Sequence, residues 1–258
     1  MIDLYANFPA FLLMLVRVSS FFATLPLFSY KTIPVSHRIG VAFFLTWIMF
    51  FTMDQPQMSI DGDYYMLIIK EALVGLLIGL VAYIILAAVQ IAGAFIDFQM
   101  GFAIANVIDP QTGAQSPLVG QYLYTFALLL LLAINGHHLL LDGIFYSYQF
   151  IPIDRVFLPL GDEEVIGFIV KTFNQVFIIA FQMSFPVVSA LFLVDVALGI
   201  VARTVPQLNV FVVGIPLKIG VSFIVLILVM SAMFMVVQEL FETMIYTMRS
   251  LMGLLGGR

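Results

Sequence analysis

Charged, amide, proline and glycine residues are concentrated in the segment 195–220, between two stretches that are apolar enough for a bilayer. Asp195, Gly199 and Arg203 are each four residues apart, so they share one face of a helix. The helical rise separates the aspartate from the arginine by about 12 Å along the axis, which strains a direct pair. We therefore expect each charge to bind a partner on another element, with Gly199 permitting close approach. A structural salt-bridge corner without further function is the alternative.

The chemistry that this segment offers is polar contact with protein or water, because charged and amide side chains facing lipid are energetically costly. Pro206 is predicted to end the first helix of the segment, and Pro216 to restrict the next one. The other candidates for helix packing or polar contact in this segment are Gln207, Asn209, Gly214 and Lys218.

A second polar stripe precedes this segment on a long apolar stretch. Gln90, Gly93, Asp97 and Gly101 recur at spacings of three and four, which places them along one helical face. The glycines predict that a second helix packs closely there. An amide and a carboxylate on the same face indicate a polar or water-lined seam, since a lipid-facing aspartate would be costly or protonated. A packing stripe within the chain is the other interpretation.

The stripe leads into a stretch, 99–117, that has no lysine or arginine. Its first residues are Gln99, Met100, Gly101 and Phe102, and Asp109 and Pro110 follow. The glycines and prolines of this stretch break helical continuity. It is either a surface turn or a re-entrant segment buried in protein, as irregular backbone at membrane depth requires.

Two further sets of ionisable residues are weaker candidates. Arg17 lies inside the first apolar run, where an ionisable group is a functional hypothesis by default, but it is too isolated to assign. That run is expected to be retained rather than cleaved as a signal peptide, because Asp3 stands where positive charge is usual. For His137 and His138 we favour packing over a proton relay.

The elements that position these residues follow from composition. Of 258 residues, 63% are hydrophobic and 10% charged, and the mean hydropathy is +1.13. We predict an all-α, polytopic integral membrane protein with about six long hydrophobic helices or helical hairpins with breaks, since about 20 apolar residues cross a bilayer. No boundary divides the chain, so 1–258 is treated as one domain. The expected spans are 8–28, 39–53, 72–96, 110–141, 172–194 and 219–238.

Several function classes are disfavoured. A net charge of -5 without a basic tract argues against nucleic acid. The chain has no cysteine, which removes disulfides and thiolate chemistry. It also lacks the HExxH, GxSxG, GxGxxG and phosphate-cradling loop motifs, so we expect no enzyme activity, metal or cofactor.

Three stretches together resemble the FliR family, the flagellar biosynthetic proteins of the type III secretion export gate. They are QIAGAFIDFQMGFAIANVIDP at 90–110, NGHHLLL at 135–141, and LGIVARTVPQLNVFVVGIPLKI at 198–219. The similarity extends over nearly the whole chain, and the ARxxPQxNVFxxGxPLK pattern is its most specific part. The residues do not separate a flagellar protein from an injectisome protein.

The resemblance implies a non-enzymatic subunit of a protein-conducting gate in the bacterial cytoplasmic membrane, at the flagellar basal body. It implies assembly with FliP and FliQ into a heteromeric helical gate, next to FlhB and FlhA, through which unfolded flagellar subunits pass. It also implies that 100–117 matches a plug-like loop, in which Met100 and Phe102 help to seal the pore and Gly101 and Pro110 shape the loop. Arg203, Gln207 and Asn209 would make contacts within the gate.

An ion-coupled secondary transporter is the competing hypothesis. Asp97, Asp195 and Arg203 would then form a site near the bilayer midplane. Transporters commonly contain two internal repeats with broken helices in corresponding positions. No such halves are evident in this sequence, which favours the export gate.

Overall fold

The structure is a computed structural model that describes residues 4–30, 32–53, 58, 60–102, 107–108, 115–205, 207 and 209–257. Of these, side chains are described from Asn7 onward, except in the two short strands. The predicted all-α fold class is confirmed. The elements are α1 (Leu4–Thr24), α2 (Val35–Thr52), α3 (Gly62–Met100), β1 (Val107–Ile108), β2 (Gln115–Ser116), α4 (Leu118–Ala133), α5 (Gly136–Phe150), α6 (Glu163–Thr204) and α7 (Val210–Gly256). The two short strands pair antiparallel, with Val107 opposite Ser116.

The described residues contain five helices that are long and apolar enough to cross a membrane, and a sixth crossing if α4 and α5 count as one. This agrees with the prediction of about six hydrophobic helices with breaks. The predicted span at 110–141 is interrupted, because α4 ends at Ala133 and α5 begins at Gly136. Asn135 sits at the break in the left-handed region, with φ of 59°, which an asparagine tolerates better than most residues.

The long helices extend well beyond the predicted spans. Helices α3, α6 and α7 have 39, 42 and 47 residues. Counting uncharged residues finds only the part suited to hydrocarbon, whereas a helix continues through charged turns that reach water or protein partners. Pro216 lies inside α7 and does not bound it, although α6 ends at Thr204, shortly before Pro206. Pro206 itself lies outside the described residues.

The chain divides into two compact units. Unit 1 comprises Met1–Ile85, Leu132–Phe173 and Glu242–Arg258, and unit 2 comprises Leu86–Leu131 and Asn174–Phe241. In unit 1, Gly75 and Gly79 bring α3 against the backbone of α1, where a Cβ on Gly79 would lie 2.8 Å from the Phe21 carbonyl oxygen. Such small residues let helix backbones approach closely in membrane proteins. That the whole chain acts as one domain stays a prediction.

Helices α6 and α7 leave most of their apolar surface uncovered. Only 11% of the apolar window of α6 and 17% of that of α7 are buried, against 56% for α3. The chain therefore presents two long helices whose apolar faces are available to something outside it.

Candidate functional site

Asp195 lies where three helices meet in unit 2. Its Oδ1 atom is 2.8 Å from the Nζ atom of Lys218 on α7. Its Oδ2 atom accepts a hydrogen bond of 2.8 Å from Nε2 of Gln99, in the last turn of α3. The side chains of Asp195 and Lys218 are 41% and 18% exposed. We call these three residues the Asp195 junction; it gives Asp195 partners on other helices, as its spacing along α6 led us to expect.

The rest of the 195–220 segment is mainly exposed. Arg203 is exposed and forms no ion pair with any residue that the structure describes. A Cβ on Gly199 would meet nothing within 4 Å, whereas one on Gly214 would lie 3.1 Å from Cδ1 of Leu198. Gln207 is exposed in the turn between α6 and α7. The segment therefore keeps an uncovered surface at Gly199 and Arg203.

Asn209 has a local role at the start of α7. Its Oδ1 atom accepts hydrogen bonds from the backbone N–H groups of Phe211, at 3.2 Å, and Val212, at 3.4 Å. These are the second and third residues of the helix, so Asn209 is its N-cap. This contact lies within the chain, and a contact of Asn209 with another subunit of the gate stays a prediction.

Asp97 caps another helix. Its buried carboxylate accepts the N–H of Val119, in the first turn of α4, at 3.0 Å from Oδ2 and 3.3 Å from Oδ1. The first N–H groups of a helix have no partner within it and carry partial positive charge. A carboxylate that receives them can be buried without a cation. We call this contact the Asp97 cap.

The glycine stripe on α3 lies against the same turn of α4. A Cβ on Gly93 would collide with the backbone of Gly120. A Cβ on Gly120 would lie 2.9 Å from the carbonyl oxygen of Gln90. Of the two interpretations that the sequence left open, the described contacts match the packing stripe within the chain.

The residues after this stripe leave the helix through a glycine. Met100 is buried, and Gly101 follows with φ of 90°, a conformation that favours glycine. Phe102 is half-buried. Asp109 and Pro110 lie outside the described residues, so their predicted part in the loop stays a prediction.

A buried charge cluster in unit 1 is the site that the sequence did not predict. Arg17 on α1 forms a two-pronged ion pair with Glu71 on α3, in which Nη2 donates to Oε1 at 2.8 Å and Nε donates to Oε2. Its Nη1 donates to Oγ of Ser147 at 3.1 Å, and Nη2 also donates to the carbonyl of Ile151 at 2.9 Å. The guanidinium lies 4.0 Å from the centre of the Tyr148 ring. Arg17 and Glu71 are completely buried.

Lys70 completes the cluster. Its ammonium pairs with Glu71 and donates to the carbonyl oxygens of Pro152, at 2.9 Å, and Ile153, at 3.1 Å. Two cations therefore face one carboxylate, and the additional positive charge meets carbonyl oxygens just beyond the C-terminal end of α5, where a helix carries partial negative charge. We use the name buried charge cluster for Arg17, Lys70 and Glu71.

The Asp195 junction, the Asp97 cap and the buried charge cluster each connect a different set of helices. Asp97 binds α4, Asp195 binds Gln99 and Lys218, and Arg203 binds no described carboxylate. The contacts among the described residues therefore do not join Asp97, Asp195 and Arg203 in the transporter site of the competing hypothesis. Among the described residues, no group of three histidine, aspartate or glutamate side chains is arranged to hold a metal ion.

Comparison with known proteins gives relatives along nearly the whole chain. A family model described as bacterial export proteins, family 1, matches residues 8–244. The flagellar biosynthetic protein FliR of Bacillus subtilis (strain 168) is 64% identical over 250 residues, which is 96% of each chain. Yop proteins translocation protein T of Yersinia pestis is 33% identical over 220 residues, 84% of each chain. The flagellar biosynthetic protein FliR of Escherichia coli (strain K12) is 27% identical over 223 residues, 85% of this chain and 84% of that one.

Proposed function

This chain belongs to the FliR family, the bacterial export proteins of family 1, and is a membrane component of a type III export apparatus; we propose that it is a non-enzymatic core subunit of the flagellar protein export gate. In this role it forms part of the protein-conducting pore for unfolded flagellar subunits and contributes to its closure. The 64% identity to the flagellar protein of Bacillus subtilis, compared with 33% to the translocation protein of Yersinia pestis, supports the flagellar assignment.

The observation that carries the proposal is how far apolar surface extends along α6 and α7. Exposed large apolar side chains run from Ile166 to Val201 on α6 and from Phe211 to Met235 on α7. At 1.5 Å per residue these stretches are about 50 Å and about 36 Å long, whereas the hydrocarbon core is about 30 Å thick. Lipid cannot cover both stretches unless the helices tilt, α6 most of all, and exposed apolar patches of this size mark interaction sites. Other protein helices are the natural cover.

We propose that these helices are those of FliP and FliQ, with FlhB and FlhA adjacent, in the bacterial cytoplasmic membrane at the basal body. The family resemblance names these partners. Purification of the tagged chain with its partners expressed tests the proposal: a stable complex with two other membrane proteins supports it. A chain that purifies alone and takes up small solutes in vesicles would overturn it.

Replacing Arg203 by alanine tests the part of the surface that the chain itself leaves uncovered. Because Arg203 is exposed, we expect the thermal midpoint of the isolated chain to stay unchanged, while the yield of the complex and motility fall. Lys171→Ala is the matched control, since Lys171 is an exposed cation of the same helix outside the 195–220 segment. Normal assembly and motility with Arg203→Ala would refute a role for this residue in the gate.

Closure is tested by deleting 105–115, the middle of the stretch that resembles the plug-like loop. We expect ion leakage through the assembled complex to rise, because Met100 and Phe102 would lose the continuation that holds them at the pore. Dye measurements of membrane potential report leakage, and a glycine-serine segment of equal length is the control for chain connectivity. Unchanged leakage and export would count against the proposed closure.

A further inference from the structure

The α6–α7 pair and the end of α3 are joined through one carboxylate. Leu198 and Gly214 contact each other, and Asp195 and Lys218 pair further from the turn that connects the two helices. This order shows that α6 and α7 run antiparallel. Gln99, from α3, binds the second oxygen of the same carboxylate. The Asp195 carboxylate therefore connects the end of α3 to the antiparallel α6–α7 pair.

The last turn of α3 is held at two places of opposite character. The Asp97 cap is buried and faces the N–H of a packed helix, with glycines on both sides of the contact. The Asp195 junction is partly open, so water can compete for its hydrogen bonds and weaken them. The first contact suits a permanent anchor, and the second suits a contact that forms and breaks.

Gln99 stands immediately before the point where the chain leaves α3. Met100 is the last residue of the helix, and Gly101 then takes the left-handed conformation that redirects the chain toward Phe102. A displacement of Gln99 therefore moves both Met100 and Phe102. Because Gln99 is bonded to α6, a movement of the α6–α7 pair is transmitted to these residues as long as the junction holds.

We infer that Asp195 is a positioning residue for the closed state of the gate. Held by Lys218, it binds Gln99 and thereby keeps Met100 and Phe102 in place, and the loss of this contact frees them. The inference rests on the proposed function, in which Met100 and Phe102 contribute to closure. It also explains why the 195–220 segment carries an aspartate and a lysine in otherwise apolar helices.

Charge exchange separates this role from a merely structural one. We expect Asp195→Lys and Lys218→Asp each to raise ion leakage per assembled complex by about tenfold, as the loss of a charge-assisted hydrogen bond implies. The double exchange restores low leakage, because the ammonium at 195 can pair with the carboxylate at 218 and donate to the amide oxygen of Gln99. Leakage is measured in cells with the complete apparatus and divided by the amount of complex recovered.

Cross-linking tests the same contact by making it permanent, whereas the charge variants remove it. Because the chain has no cysteine, Gln99→Cys combined with Asp195→Cys provides a unique pair for a short bifunctional thiol reagent. We expect leakage before treatment, then loss of both leakage and substrate export when the bridge forms, with reversal when it is cleaved. The single Asp195→Cys chain treated with the same reagent is the control. This experiment also decides the matter if a charge variant fails to assemble.

Either of two results overturns the inference: complete cross-linking with normal export, or assembled single charge variants without leakage. The deletion of 105–115 distinguishes its failure from that of the proposed function. If the deletion leaks and the Asp195 variants do not, only the positioning role is wrong. If the deletion does not leak either, the proposed closure is wrong as well.

Discussion

Replacing Glu71 by glutamine is expected to destabilise unit 1 by about 3–5 kcal/mol, the usual cost of removing one partner from a buried ion pair. Glu71 is the carboxylate that both Arg17 and Lys70 contact, and all three residues are buried. Glutamine keeps the shape, but it replaces one of the two acceptor oxygens by an NH₂ donor and leaves two cations without a counter-charge. Such a loss consumes much of the stability of a typical domain. The amount of full-length chain in membranes and its thermal midpoint in detergent measure the effect.

Two further variants test whether unpaired buried cations cause the destabilisation. Glu163→Gln removes an exposed carboxylate of the same unit and should shift the midpoint little. Replacing the whole buried charge cluster by apolar residues, with Arg17→Met, Lys70→Met and Glu71→Leu, should recover most of the stability, since no unpaired charge remains. Recovery is incomplete because the carbonyls of Pro152 and Ile153 lose their donor. If Glu71→Gln had the midpoint of the unaltered chain, the cluster would not stabilise the fold.

The buried charge cluster also marks where prediction from sequence stops. Arg17 was singled out as an ionisable group in an apolar run, but its partner Glu71 is 54 residues away. Periodicity along a helix relates residues three and four apart and says nothing of contacts at that separation. The rule that buried charges are paired is a usable signal, and it directs attention to Lys70 and Glu71 at the edge of the third predicted span, 72–96.

Contacts that depend on residue spacing within one helix were easier to predict from the sequence. The four-residue spacing of Asp195, Gly199 and Arg203 predicted that each charge would pair with another element. Asp195 does so with Lys218 and Gln99, whereas Arg203 has no ion pair among the described residues. Which residue would be the partner could not be predicted, because it depends on how α6 and α7 align. Membrane class and the approximate number of helices followed from composition, whereas helix ends did not, because charged turns continue a helix beyond the apolar run.

The Asp97 cap shows how a packing stripe within the chain can contain a buried carboxylate. The sequence indicated either a polar seam or a packing stripe at Gly93 and Asp97. The structure has a packed stripe whose one carboxylate is satisfied by the N–H of Val119. Packing and polar satisfaction here depend on each other, since the close approach at Gly93 is what brings the first turn of α4 to the carboxylate.

Replacing Gly93 by valine should therefore cost about 3 kcal/mol or more, at the upper end for an overpacked core. The added Cβ would collide with backbone atoms of Gly120, and backbone cannot rotate away as a side chain can. Moving α4 aside would withdraw the N–H of Val119 from Asp97 and leave a buried carboxylate without its donor. Gly220→Val is the control in the same unit, because a Cβ there meets nothing within 4 Å and valine is a slightly better helix former than glycine. We expect Gly93→Val to lower the thermal midpoint and Gly220→Val to leave it unchanged; equal midpoints for the two would show that the approach of α3 to α4 does not hold the Asp97 cap in place.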